Sequence, residues 1–192
     1  MHADTDLTSQ ETFELVVQEM RMHAESGRKN FTLRVPQDMA VYLFAGVLKR
    51  SGLSMVALEC LLSEQKISGL SGSEDGRVLR RYMSGETRMT WPIYRRLAFW
   101  ALANGWISAW VVRDLLFRSF QREAAQLSAR MLLRKLKRGH GLESLTSEYV
   151  VGCFDRTYEQ LQRACELDAV RNVERNSRAR EFADSLGLDL QS

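Results

Sequence analysis

Three polar side chains at every second position, Asn30, Thr32 and Arg34 in "RKNFTLRVPQDMA", are the residues of this chain best suited to recognition chemistry. Phe31, Leu33 and Val35 stand between and after them. A period of two puts the two sets on opposite faces of an extended segment. An arginine offers guanine O6 and N7 a planar fork, an asparagine amide matches adenine N6 and N7, and a threonine hydroxyl serves either. The chemistry on offer is the reading of base edges, provided that something holds the segment extended.

Catalytic chemistry finds no comparable set. Cys60, Cys153 and Cys165 are odd in number and none forms a CxxC pair. His2, His23 and His140 lie far apart, so no metal-site spacing is present. No paired carboxylates stand out, and no glycine-rich phosphate loop follows a strand. The expectation is no enzyme, no catalytic residue, no metal and no cofactor. Cysteines in apolar helical surroundings suit small core residues of a reduced protein. The acidic start "MHADTDLTSQETFELVVQEM" lacks the apolar run of a signal peptide. No stretch approaches the roughly 20 apolar residues of a membrane span. A cytoplasmic protein without membrane contact is expected.

Length and composition fit a globular chain of one domain or two small ones: 192 residues, 45% hydrophobic and 27% charged. The net charge of +3 and the pI of about 8.9 say little about partners, but the distribution of charge says more. Arg77, Arg80, Arg81, Arg88, Arg95 and Arg96 face only Glu74, Asp75 and Glu86 across residues 73–97, and "RMLLRKLKR" at 130–138 has no acid at all. Such surfaces attract polyanions. A solvated helix face is the ordinary outcome of a charge run taken alone.

The elements that must position these residues are mostly helical. Phe13, Val16, Val17, Met20 and Ala24 predict a helix over 10–25, ended by Gly27. A second helix runs from Pro36 to Ser51 and stops at Gly52. Ser54 is the N-cap of a third, about 54–66. "KISGLSGSED" reads as a linker. After it come a short arginine-rich helix, a helix from Trp91 to Ala103 capped by Thr90, a long one over 106–138, and a last one over about 144–186. The domains expected are an N-terminal helix (1–27), a nucleic-acid-binding module (28–67), a linker (68–76) and a helical C-terminal region (77–192).

A lone strand at 30–36 leaves its backbone groups unpaired. No second strand is evident, so a strand from another copy of the chain is the simplest partner. An antiparallel pair across a two-fold axis would bury the apolar faces and fit a major groove. Strand, proline, helix, Gly-x-Ser, helix, in "NFTLRVPQDM…SGLSMVALECLL", resembles the ribbon-helix-helix DNA-binding proteins of the Arc/MetJ type. The resemblance implies a mostly α homodimer with one intersubunit β-ribbon and an appended helical region. It implies base reading by Asn30, Thr32 and Arg34, and phosphate binding by Leu53, Ser54 and Met55 at the turn between the helices. Arg28 and Lys29 adjoin the strand and join the phosphate set. Two features depart from the pattern: the second helix carries Glu59 and few bases, and a helix precedes the strand.

A second segment, "VLRRYMSGETRMTWPIYRRLAFWALANG", resembles the recognition helix and following helix of phage-repressor helix-turn-helix domains. The helix before it would have to lie in the Gly/Ser linker. The reading taken is more modest: Arg77, Arg80, Arg81 and Arg88 touch phosphates beside the ribbon. Trp91, Trp100, Trp106 and Trp110, with Phe99, Phe117 and Phe120, are read as core. The function expected is a sequence-specific regulator of transcription at a double-stranded DNA operator, activator or repressor. By the resemblance, a mobile element or conjugative plasmid is a fitting setting, and RNA polymerase or another protein could bind the C-terminal helices. Rival readings are an accessory protein at a transfer origin and a helical adaptor for an acidic protein.

Overall fold

The computed structural model describes residues 7–64, 75–139, 141 and 145–185, with side chains in the final helix described as far as Leu167. Seven helices lie among them: α1 (Ser9–Glu25), α2 (Gln37–Ser51), α3 (Met55–Glu64), α4 (Arg77–Ser84), α5 (Trp91–Ala103), α6 (Ala109–Lys137) and α7 (Ser147–Ser185). No single helix among the described residues is long and apolar enough to cross a membrane. The expected linker at 68–76 lies outside the described residues up to position 74.

Local chemistry sets the helix ends. Thr8 accepts the Glu11 N–H at 3.2 Å while the Glu11 carboxylate accepts the Thr8 N–H at 2.8 Å, a reciprocal cap on α1. Ser54 caps α3 by accepting the Ala57 N–H at 3.1 Å. Thr90 stands at the N-cap of α5, but its side chain makes no capping bond. Between α2 and α3, Gly52 takes a φ of +67°, which stops α2 and lets the chain bend by 98° into α3.

Two hydrophobic clusters result. The first gathers α2 to α5 around Leu43, Phe44, Leu58, Leu79, Trp91 and Tyr94. The second gathers α1, the C-terminal half of α6 and α7 around Val16, Ala129, Leu132, Phe154 and Tyr158. Helix α6 is the spine of both: Val112 and Leu115 enter the first cluster, Ala124, Ala125 and Ala129 the second. Its 29 residues span about 43 Å. Small residues at 124, 125, 128 and 129 let α1 and α7 pack close against it.

The expectation of a β-ribbon is corrected here. Among the described residues there is no β-strand, so neither the ribbon-helix-helix fold nor its intersubunit ribbon is present. The segment 28–36 is irregular, bends at 29 and 30 and pairs in no ladder, and the hydrogen bonds of its Arg34 and Val35 backbone come from within the chain. Gln126 on α6 accepts the Arg34 N–H at 3.1 Å and donates to the Arg34 carbonyl at 2.9 Å. One side-chain amide thus meets the Arg34 backbone as a neighbouring strand would. The Val35 N–H goes to the Met89 carbonyl at 2.9 Å. The apolar face fits the same picture: Phe31 packs on the second cluster, Leu33 and Val35 on the first. The alternation marks a strap across two cores.

Candidate nucleic-acid interface

Helix α4, "RVLRRYMS", is the most sharply two-sided element of the fold. Leu79 and Tyr82 are buried, with Val78 and Met83 packed beside them. Arg77, Arg80, Arg81 and Ser84, at i, i+3, i+4 and i+7, share the opposite, exposed face. Their neighbours hold them loosely. Arg77 and Asp75 are 3.8 Å apart, and Arg81 meets Glu86 at 2.9 Å, both pairs well exposed. Pairs of that kind contribute little to stability and yield readily to a competing anion. Burial pushes the Tyr82 hydroxyl above its ordinary value, and the Arg34 and Arg81 guanidinium groups nearby oppose that.

The start of α4 is built against α3. Gly76 has a φ of +72°, and a Cβ there would sit 3.2 Å from the Val56 amide nitrogen. The chain therefore needs glycine for two reasons, conformation and space. Glu59 on α3 is fully buried and accepts the Leu79 N–H at 2.9 Å, capping the first turn of α4. Asp75 accepts the Arg77 N–H at 2.9 Å. The N-termini of α3 and α4 consequently lie side by side, with Ser54 exposed at the start of one and Arg77 at the start of the other. Among the described residues the helix preceding α4 is α3, where the sequence had pointed to the Gly/Ser stretch.

Sequence-predicted residues fall into four places. Arg77, Arg80 and Arg81 line a groove on α4 that ends at Glu86. Arg28, Thr32, Arg34 and Arg88 line a neighbouring cleft of about 550 Å³, which shares Glu86 with that groove. Leu53, Ser54 and Met55 stand at the turn into α3, where Leu53 packs half-buried on the first core and its N–H goes to the Ser51 hydroxyl at 3.2 Å. Lys29 and Asn30 are exposed on the strap. Without a ribbon, Asn30, Thr32 and Arg34 do not form one recognition face. Arg34 turns back to donate to the Leu33 carbonyl at 3.1 Å.

Other basic residues serve the fold. Arg95 meets Glu123 at 2.6 Å, half-buried, and lies 5.2 Å from the centre of the Phe120 ring. Lys135 stands 4.0 Å over Tyr149. Most of the aromatic set is core, with Trp91 buried and Trp100 edge-on to Trp106 at 4.8 Å. Phe99 and Trp110 differ from that expectation: Trp110 is 73% exposed.

Two residues that organise the site were not singled out for it from sequence. Glu59 appeared only as a misfit to the ribbon pattern, and that misfit was the signal: an acid in the middle of the apolar helix "MVALECLLSE" needs a buried partner. Gln126 lies 92 positions from Arg34, and nothing local in the sequence links the two. No protein-family model, curated protein or solved structure matches this chain.

Proposed function

We propose that this chain is a sequence-specific double-stranded DNA-binding regulator of transcription that places α4 in the major groove. The observation that carries the reading is the exposed face of Arg77, Arg80, Arg81 and Ser84 on a helix whose other face is buried and whose N-terminus abuts that of α3. In helix-turn-helix docking the second helix enters the groove, its N-terminal residues meet base edges, and the first helix crosses the backbone. In this reading α4 takes the groove and α3 the backbone. Arginine at the start of α4 supplies the fork that guanine accepts. In the same reading the free amides at the start of α3, next to Ser54, take a backbone phosphate. No ribbon joins two copies among the described residues, and the arginine face of α4 is complete within a single copy.

The test is capture of genomic fragments by the purified protein at low salt, followed by sequencing. Strong enrichment of one recurring motif is expected. Enrichment confined to a transfer origin would replace the regulator with an accessory factor. No retention of any fragment would leave the arginine face to an acidic protein partner.

A further inference from the structure

The cleft beside α4 carries more chemistry than a DNA surface needs. It is concave, and about 550 Å³ falls within the range of small-molecule sites. On its floor is Glu19, only 4% exposed, with a carboxylate oxygen that has no hydrogen-bond partner among the described residues. Arg122 stands 3.9 Å from that oxygen, beyond hydrogen-bonding reach. A buried acceptor left without a donor is costly, and natural structures seldom keep one idle. Three guanidinium groups line the same cleft. Arg28 and Arg88 line the cleft, are exposed and form no ion pair among the described residues. Arg34 spends one N–H on a backbone carbonyl and keeps the rest. His23 and Phe31, their rings 4.9 Å apart, form an aromatic wall.

We propose that this cleft binds a small ligand of nucleotide-like chemistry: an anionic group and a flat heterocycle. The anion takes Arg28, Arg34 and Arg88, as phosphates and carboxylates take arginine forks elsewhere. The heterocycle lies on Phe31 and His23. Gly85 to Arg88, one wall of the cleft, is the connection leading out of α4, so a bound ligand rests directly against that helix.

The test is isothermal titration of the full-length protein with adenosine and guanosine monophosphate, and separately with inorganic phosphate. At least one nucleotide should saturate a single site, with inorganic phosphate weaker by about tenfold or more. Arg28→Ala and Arg88→Ala change exposed residues, so thermal melts should match wild type while nucleotide affinity falls about tenfold in each. Three results would overturn the proposal. One is no saturation with either nucleotide. Another is phosphate binding as tightly as the nucleotides. The third is unchanged nucleotide affinity in both arginine variants, which would place the binding outside this cleft. The titration contains no DNA, so its outcome is independent of whether α4 reads an operator.

Discussion

The strap at 28–36 and helix α4 are both short, arginine-bearing segments, and they use their polar groups in opposite ways. On the strap the backbone is the polar group that matters, and it is tied inward by Gln126 and the Met89 carbonyl. On α4 the backbone bonds run within the helix beyond its first turn, which Glu59 of α3 and Asp75 close, and the arginine side chains point out. Arg34 bends back to its own chain, whereas Arg77 and Arg81 have only exposed acids beside them and Arg80 reaches only the Asp75 carbonyl, at 2.7 Å. An extended segment without a ladder must take its hydrogen bonds from the core, and this fixes it to the scaffold. A helix needs nothing from its neighbours on its outer face, which leaves that face for a partner.

The largest effect on this contrast should come from Gln126→Leu. The change strands the Arg34 N–H and carbonyl and the Trp91 indole N–H, which donates to Gln126 at 3.0 Å. Each stranded group costs about 1–3 kcal/mol, so a loss of roughly 3 kcal/mol or more is expected in denaturant unfolding. A variant as stable as wild type would mean that the strap is held by its apolar face alone.

Glu59→Leu comes next. It removes the acceptor for the Leu79 N–H at the start of α4 and should cost about 1–3 kcal/mol. Amide exchange in α4 should accelerate more than in α7, because the cap holds α4 locally. Uniform acceleration along the chain would show that Glu59 supports the whole core.

A smaller effect depends on pH. Burial raises the Glu19 carboxyl above its ordinary value of 4.5, while Arg122, a Gln126 hydrogen bond and Arg88 oppose the shift. A raised value in the folded state favours the protonated form. The resulting stabilisation is full below 4.5 and is lost as pH rises through the raised value. Glu19→Gln removes that penalty at neutral pH. Its melting temperature should match wild type in acid and exceed it at pH 7. A gap that widened toward low pH would reverse the assignment.

Much of the helical layout was legible from the sequence. Pro36, Gly52, Ser54 and Asn104-Gly105 punctuate the chain where α2, α3 and α5 begin or end. The arginine face of α4 was visible as spacing. The strap was misread because period-two alternation reports two-sided burial and is silent about where the backbone bonds go. A side-chain amide 92 residues away replaced the second strand. Glu59 was equally hidden in its role, since a carboxylate that caps a helix from a different helix leaves no local pattern.

The central claim is that α4, and not the strap, faces DNA. A salt titration of affinity for a captured duplex tests it most directly, comparing wild type, Arg80→Ala with Arg81→Ala, and Asn30→Ala with Thr32→Ala. All four residues are exposed, so each protein should fold as wild type does. The α4 variant should bind more weakly, with the slope of log K against log salt shallower by about 2. The strap variant should overlay wild type in affinity and slope. A strap variant that loses binding while the α4 variant keeps it would contradict the account.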